Sequence, residues 1–309
     1  MADFELQSMQ PEDWDEVAEL IHSSTNDWYQ TRGLGPIFPH GPESTRLFCQ
    51  VYETLDPGCC VLAVDKRTDQ IAGSCFYHPR ETHVSLGIMN VRPTHFGTGI
   101  ARRLLKFIIE FADAQKKPVR LVSSAFNLDS FSLYNRAGFI PRMAFQDMLL
   151  TVPETGLDIT TIGSERVRSA TMEDVPAMAA LELEINHLSR VKDLRYFVEN
   201  KEGLWHVSVS EDERGRLDGF LVSVQHPGSN MLGPGIAKTD QQAAALILAE
   251  LQHHRGRTPV FLVPVERAEL VQTLYRWGAR NCEIHFAQIR GAYQRPTGVV
   301  MPTFMPETG

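Results

Sequence analysis

The chain has 309 residues, of which 43% are hydrophobic and 22% are charged, as in an ordinary globular protein. This length exceeds one typical domain, so we expect two domains. The net charge of -8 at pH 7 argues against nonspecific nucleic-acid binding, which depends on Lys and Arg beside phosphates, and we expect no nucleic-acid partner.

Cysteine usage and the absence of long apolar runs bear on the compartment. The five cysteines have no Cys-x-x-Cys spacing, and their odd number favours reduced thiols. The amino terminus lacks a basic segment followed by an apolar one, and no apolar run reaches membrane-spanning length. We therefore expect a cytoplasmic protein with no membrane partner, as a monomer or a homodimer.

The first elements along the chain are a helix and a hairpin. An apolar stripe at Trp14, Val17 and Ile21 predicts the helix, and segments 60–65 and 71–77 predict the two strands. The connection after the helix, residues 25–43, is broken by Gly and Pro. Its aromatic residues either line a substrate pocket or pack into the core; they are Trp28, Tyr29, Phe38 and His40.

A strand, a glycine-rich turn and a helix come next. The apolar run 84–91 predicts a strand that stops before Pro93, because the residue before a proline favours extended geometry. Gly97 and Gly99 let backbone amides approach a ligand, and a helix is expected to start near Thr98. Its first turn leaves N–H groups without partners at the positive end of the dipole, which favours an anion. Glycines also occur in ordinary loops, so this signal alone decides nothing.

A second informative segment spans residues 125–139 and follows a predicted strand at 118–122. It predicts a short helix that ends at Gly138 and carries Phe131 and Tyr134 on one face. Taken alone, Tyr134 is better explained as a half-buried core tyrosine.

The same order of elements recurs in the second half. Residues 170–175 are similar to residues 9–14, and each segment precedes a helical pattern. Later strands are predicted at 205–210, 217–224, 260–265 and 282–288, and helices at 240–252 and 267–277. We predict a catalytic domain at 1–150, a linker at 151–166, a degenerate copy at 167–292 and a nonhelical tail at 293–309.

The second half lacks both features of the first. Gly233 and Gly235 precede its helix, but the turn directly before Asp240 contains no glycine, and the Asp240 carboxylate would repel a diphosphate. Counting back from Gly278 places Leu274 where Tyr134 stands in the first half. His253 and His254 are adjacent, without the i, i+4 spacing of a helical metal site, so we expect no metal.

Together, the two motifs resemble the signature segments of the GCN5-related N-acetyltransferase (GNAT) superfamily. Residues 91–101 are similar to the acyl-CoA motif V-x-P followed by (R/Q)-x-x-G-x-(G/A), in which Gly99 and Ala101 match. Phe96 stands where the family has Arg or Gln. Residues 127–139 are similar to N-x-x-(S/A)-x-x-x-Y-x-x-x-G-F.

The resemblance implies an α/β fold (α+β by some schemes), with two tandem GNAT-like folds that each have a mixed, mostly antiparallel sheet flanked by helices. It implies acetyl-CoA as acyl-donor cosubstrate, Tyr134 as the acid that protonates the leaving thiolate, and an oxyanion-binding amide at the bulged end of the fourth strand. The residues expected to bind acetyl-CoA are Met89, Asn90, Val91, Gly97, Thr98, Gly99, Ile100, Ala101, Arg102, Asn127 and Tyr134.

Two assignments rest on neighbouring residues. His83 is either the general base, since imidazole deprotonates an ammonium near neutral pH, or a solvent-exposed histidine at a strand start. His95, Arg92 or Arg102 is expected to replace the side-chain contact that Phe96 cannot make.

We therefore predict an acetyl-CoA-dependent N-acetyltransferase in which a primary amine attacks the thioester directly within a ternary complex. The acceptor is an amine on a small molecule, a peptide or a protein. The alternatives are a noncatalytic acyl-CoA-binding or sensor protein, and an acyltransferase that uses a hydroxyl acceptor or a longer acyl group.

Overall fold

The computed structural model describes residues 4–306, with thirteen strands and eight α-helices in that range. Residues 1–3 and 307–309, the outermost parts of the amino terminus and tail discussed above, lie outside it. The strands are β1 (Phe4–Ser8), β2 (Cys60–Asp65), β3 (Gln70–Pro79), β4 (Val84–Val91), β5 (Val119–Ser124), β6 (Ile140–Leu149), β7 (Val167–Ser169), β8 (Trp205–Glu211), β9 (Leu217–His226), β10 (Ser229–Ala237), β11 (Val260–Pro264), β12 (Arg280–Arg290) and β13 (Val299–Met301). The helices are α1 (Trp14–Gln30), α2 (Arg46–Leu55), α3 (Ile100–Ala114), α4 (Leu128–Arg136), α5 (Val175–Asn186), α6 (Val191–Glu199), α7 (Asp240–His253) and α8 (Ala268–Arg276).

All the strands join in one sheet. Their order is β1-β2-β3-β4-β5-β12-β6-β11-β10-β9-β8-β7, with β13 added to β10. Among the described strands, only β4–β5 and β10–β11 pair in parallel. The predicted mixed, mostly antiparallel sheet flanked by helices is confirmed. No helix within residues 4–306 is both long and apolar enough to cross a bilayer.

The last strand of each half lies in the other half's part of the sheet. β12 pairs with β5 along residues 285–290, and β6 pairs with β11 along residues 145–149. The two exchanged strands also pair with each other at the centre. The two halves therefore share their central strands, while the segment between Leu149 and Ser164 carries no helix or strand.

The packing differs between the two faces of this sheet. Under α1, α2, α5 and α6, one cluster of buried apolar side chains runs through both halves and includes Tyr52, Phe76, Phe197 and Phe220. On the opposite face, separate clusters lie under α3 and α4 and under α7 and α8. Burial of apolar area therefore joins the halves on one face only.

A buried ionic cluster also joins the halves. Arg80 donates to Asp56 at 2.9 Å and to Asp193 of α6 at 2.7 Å, and all three side chains are buried. His78 lies 2.8 Å from the same Asp56, and Lys192 also contacts it. Burial opposes ionisation of Asp56, but the hydrogen bond and charge of His78 and the charge of Arg80 lower its pKa to about 2.

Candidate functional site

The glycine turn lies between β4 and α3, and α3 starts at Ile100 rather than near Thr98. Gly97 and Gly99 have φ values of 75° and 88°, which favour glycine. Gly99 is the N-cap of α3 and no side chain caps this helix. Within residues 4–306, no protein acceptor reaches the amides of Gly99 to Arg102, so they are available to an anion.

Beside this turn, β4 and β5 separate. Their parallel pairing covers only Val84 with Val119 and Ser85 with Arg120. Beyond Ser85, β4 keeps β3 as its neighbour as far as Val91, while β5 keeps β12. A gap therefore opens toward the glycine turn, beside an edge of β4 that no other described strand pairs with.

The bulge of β4 lies earlier than predicted. Its register with β3 shifts between Leu86 and Met89, whereas the resemblance implied a bulge at the end of the strand. Gly87 lies within this shift, and a Cβ there would lie 2.8 Å from His78 Nε2 and 3.0 Å from atoms of Phe76. The close approach of β3 therefore requires glycine at this point of β4.

Asn90 and its neighbours face opposite sides of β4. Asn90 Nδ2 donates to Ser24 Oγ at 2.8 Å and to Thr25 Oγ1 at 3.2 Å, both on α1. Met89 and Val91 are half-buried beside the cluster under α3. The Asn90 side-chain nitrogen therefore holds α1 against the end of β4, while the buried Asn90 Oδ1 has no hydrogen-bond partner within residues 4–306.

The tyrosine segment forms α4 as predicted. Asn127 is its N-cap, and Asn127 Oδ1 accepts from the Ser130 amide at 3.0 Å. Tyr134 is 6% exposed, its ring centroid lies 5.8 Å from that of Phe139, and it shares a core cluster with Ile100 at the start of α3. The predicted acid and the glycine turn thus lie on the same face of the sheet.

The cations near the turn differ in availability. Arg92 forms ion pairs at 3.1 and 3.4 Å with two glutamates of α1. His95 lies 3.5 Å from an aspartate of β2. Arg102 is exposed and reaches within 3.7 Å of the Cβ position at Gly99. Since Phe96 is 50% exposed and offers no charge, Arg102 is the best placed of the three to replace the missing contact.

His83 is not placed as a base for an acceptor at the glycine turn. It is fully buried and precedes β4, at the opposite end of that strand from Val91. Burial and the nearby positive charges of Arg120 and Arg80 hold its pKa well below the usual range. The solvent-exposed alternative for His83 is therefore wrong, because tertiary packing covers the strand start. The base role of His83 stays a prediction, and its burial away from the glycine turn does not support it.

The connection after α1 contributes one aromatic residue to the core. Phe38 is 7% exposed and packs on Phe48, with ring centroids 5.8 Å apart. Asn26 fixes it by two hydrogen bonds of 2.9 Å to the Phe38 backbone. Trp28 and Tyr29 remain half-buried at the end of α1. Phe38 therefore packs in the core, whereas the Tyr29 hydroxyl donates to Glu283 of β12.

The second half has the same gap, but its own tail fills it. β10 and β11 pair only at Met231 with Val260 and Leu232 with Phe261, and β10 then shifts register. β13, residues 299–301, pairs with β10 in the position beyond the shift. The predicted nonhelical tail thus supplies a strand where the first half has an open gap.

The helix ends of the second half also differ from those of the first. Thr239 caps α7 by accepting from the Gln242 amide, and Asp240 opens the helix with a carboxylate. The Ala279 amide donates to the Leu274 carbonyl at 3.0 Å, as the Phe139 amide donates to Tyr134 at 3.1 Å. This matching pattern places Leu274 at the position of Tyr134, so the second half lacks the phenol.

Sequence reasoning missed one group of titratable side chains. Ligand-type atoms of Asp147, Glu283 and His285 lie within 4.8 Å of one another, and all three residues are buried. The alternation of Glu283 and His285 along a strand predicted to be in the core was the available signal. Their partner Asp147 lies on β6, and β6 becomes the neighbour of β12 only through the strand exchange. No local sequence pattern indicates that exchange. The group is the nearest approach to metal-ligand chemistry in residues 4–306, and the prediction of no metal stays a prediction.

Family models match both halves of the chain. The acetyltransferase (GNAT) family model matches residues 14–139, and an acetyltransferase (GNAT) domain model matches residues 181–295. A comparison with curated proteins finds no match. The family models support acyl transfer from CoA as the general reaction.

Solved structures share the whole architecture. A candidate acetyltransferase from Pyrococcus horikoshii has a TM-score of 0.75 at 14% identity, over 98% of this chain and 95% of that one. A tandem GNAT protein from the clavulanic acid biosynthesis pathway has a TM-score of 0.60 at 13% identity, over 94% and 100%. N-myristoyltransferase from Saccharomyces cerevisiae, solved with myristoyl-CoA, has a TM-score of 0.64 at 10% identity, over 96% and 80%. These likenesses show two tandem GNAT folds.

Proposed function

The chain belongs to the GNAT acetyltransferase family, and we propose that its first half transfers an acetyl group from acetyl-CoA to a primary amine. One observation carries this proposal. The open gap between β4 and β5, the uncapped first turn of α3 and the phenol of Tyr134 occur together in the first half, and the second half retains none of them in usable form.

The cosubstrate fits the first half in two places. The amides from Gly99 to Arg102 suit the diphosphate, with the exposed Arg102 guanidinium beside them. The amide-bearing edge of Met89 to Val91 faces the gap and suits the pantetheine chain as an added strand. Attraction between the diphosphate and the helix dipole, together with backbone hydrogen bonds, then supplies most of the affinity for acetyl-CoA. The loss of the side-chain contact that Arg or Gln would make at position 96 is therefore tolerated.

Acyl transfer needs a proton for the departing thiolate, and Tyr134 is proposed to provide it. Its ring is fixed by burial beside Phe139, so the phenol is oriented before the donor binds. Positioned proton donors of this kind contribute roughly a hundredfold to ten-thousandfold to the rate. The acceptor is proposed to be an amine on a small molecule, a peptide or a protein.

A noncatalytic acyl-CoA-binding protein is the second candidate. It is favoured by the position of His83, which is buried at the end of β4 away from the glycine turn, and by the exposed Phe96 at the turn. A longer acyl group is supported only by the fold shared with the myristoyl-CoA-binding N-myristoyltransferase.

The cellular compartment and the oligomeric state are also proposed. The five cysteines form no disulfide within residues 4–306, and Cys49, Cys60 and Cys75 are buried. This usage supports a reducing compartment, and we propose a cytoplasmic enzyme that works as a monomer or a homodimer.

Two measurements test the function. Calorimetry with acetyl-CoA measures binding, and thiol release over a panel of amines measures transfer. Tyr134→Phe is expected to lower kcat by about a hundredfold or more while the affinity for acetyl-CoA stays unchanged. Tyr275→Phe is the matched control, because Tyr275 is exposed and follows Leu274 in α8.

The outcomes separate the candidates. Acetyl-CoA binding without thiol release by any amine would support the noncatalytic protein. Full turnover by Tyr134→Phe across the pH range would show that another group protonates the thiolate.

A further inference from the structure

A buried acidic group lies where the two halves exchange strands. Asp147 of β6 and Glu283 of β12 are register partners, and His285 follows on the same face of β12. Their exposed fractions are 3%, 8% and 7%. Two carboxylates and one imidazole are thus removed from water together, which is unfavourable unless protons or cations compensate the charge.

The hydrogen bonds of this group leave acceptor capacity unused. Glu283 Oε2 accepts from the Tyr29 hydroxyl at 3.0 Å, and Glu283 Oε1 accepts from the Ser124 hydroxyl. Asp147 Oδ2 lies 2.9 Å from His285 Nδ1. Asp147 Oδ1 is buried and has no hydrogen-bond partner in residues 4–306. A carboxylate offers about four acceptor positions, so both side chains have room for a further donor.

The position of the group relates it to the open gap of the first half. Ser124 is the last residue of β5, at the end where β5 has separated from β4. Along α1, Ser24 contacts Asn90 of β4 and Tyr29 contacts Glu283 of β12. The carboxyl-terminal part of α1 therefore spans from β4 to β12 across the gap. Glu283 lies on the α1 side of the sheet, opposite the face that carries Tyr134.

We propose that Glu283, brought to the first half by the exchanged strand β12, binds the ammonium group of the acceptor and takes its proton. Tyr29 positions the carboxylate, and Asp147 adds the negative charge that selects a cationic acceptor. This inference rests on the proposed acyltransferase function and narrows its substrate class to amines that arrive protonated. It also gives the second half a role in catalysis, since it supplies the strand that carries the base.

The proposed step balances. The ammonium gives one proton to the Glu283 carboxylate, and the nitrogen lone pair then forms a bond to the thioester carbonyl carbon. The carbon–sulfur bond breaks, and the thiolate takes a proton from the Tyr134 phenol. The nitrogen loses its second proton as the amide forms, and this proton restores the Tyr134 phenol by way of solvent. Glu283 then releases its proton to solvent, so the net products are the amide, the free thiol and one proton. No oxidant, reductant or metal is required.

The hydrogen bonding favours an ammonium over a metal ion at this place. Both oxygens of Glu283 accept from hydroxyl groups. These two hydrogen bonds fix the orientation of the carboxylate, which then accepts from a further donor such as an ammonium. Burial and the Glu283 charge raise the pKa of Tyr29 well above its usual range, so the phenol stays a donor at neutral pH. Divalent ions instead prefer oxygens free for bonds of about 2.0 to 2.6 Å.

Glu283→Gln tests the proposal in the full-length chain. We expect kcat/KM for the amine to fall about a hundredfold or more and the acid limb of its pH profile to disappear, with acetyl-CoA affinity unchanged. Glu250→Gln is the matched control, because Glu250 is a fully buried glutamate of the second half that hydrogen-bonds His206 and Ser223. This control is expected to keep the amine turnover.

A second variant keeps the proposal testable if Glu283→Gln does not fold. Tyr29→Phe keeps the carboxylate but removes a donor to its charged form, so the acid limb is expected to move to higher pH. A purely structural role for Tyr29 would leave that limb in place. An unchanged profile in both variants would overturn the proposal.

Two further results are decisive. Binding of Zn²⁺ alone by the wild-type chain that is lost in Glu283→Gln would overturn the ammonium site in favour of a metal site. Absence of acetyl-CoA binding or of thiol release by the wild type would refute the proposed function itself, independently of Glu283.

Discussion

The two halves contain the same separation of parallel strands, but only the first leaves it open. β4 and β5 part after two paired positions, and so do β10 and β11. In the first half an uncapped helix with a glycine turn follows; in the second, Thr239 caps the helix, Asp240 opens it and β13 fills the gap. A few local differences therefore separate an open gap from a packed core.

β13 fills the gap of the second half by close packing as well as by strand pairing. Val299, Val300 and Met301 are at most 4% exposed. Gly298 passes so close to the Ala237 carbonyl oxygen that any Cβ would clash with it. Each buried aliphatic side chain contributes roughly 1.5–3 kcal/mol, so the tail stabilises the second half at the position that the first half leaves open.

The largest effect is expected when the halves are separated. Residues 1–150 alone would leave β5 without β12 and β6 without β11, and thus expose apolar strand edges. We expect neither 1–150 nor 151–309 to fold alone, and the two fragments to fold when they are coexpressed. Circular dichroism and size-exclusion chromatography measure this. A folded, monomeric 1–150 that binds acetyl-CoA would show that the predicted domains are independent despite the exchange.

Met301→Ala tests the filled gap of the second half. Met301 is 3% exposed in the cluster under α7, and its truncation is expected to lower the free energy of unfolding by about 2–5 kcal/mol. Denaturant unfolding provides the measurement. Met89→Ala is the matched change beside the open gap, where the side chain is half-buried; it is expected to cost less stability and to weaken acetyl-CoA binding. Equal stability losses for the two variants would contradict the distinction between the gaps.

The acid sensitivity of stability tests the role of Asp56 in the buried ionic cluster that joins the halves. Its pKa of about 2 lies below the unfolded value of 3.8, so its stabilising contribution is present above pH 4 and is lost as the pH falls toward 2. The loss is expected to be roughly 2 kcal/mol. Unfolding midpoints between pH 2 and 5 should fall less steeply for Asp56→Asn than for the wild type. Parallel slopes would mean that other carboxylates account for the acid sensitivity.

Local elements were predictable because their signals are local. Glycine pairs, hairpin turns and the distance from Leu274 to Gly278 each involve a few adjacent residues, and the corresponding elements are confirmed. The neighbours of β6 and β12 were not predictable, because either strand pairs with similar apolar partners and the choice is made by the assembled sheet. The burial of His83 and the meeting of Asp147 with Glu283 depend on that choice.

The smallest effect concerns the anion-binding turn of the first half. Thr98→Asp places a carboxylate at an exposed position beside the free amides of α3. Like charges a few ångströms apart near a protein surface repel by about 1 kcal/mol or more, so acetyl-CoA affinity is expected to fall about tenfold. Calorimetry at low and high salt measures the affinity, and the loss should shrink as salt screens the repulsion. Thr239→Asp is the control in the second half, because Asp also caps a helix and the filled gap there binds no diphosphate. If Thr98→Asp binds acetyl-CoA as tightly as the wild type at low salt, the diphosphate does not lie at this turn, and the comparison of the two helix ends loses its functional meaning.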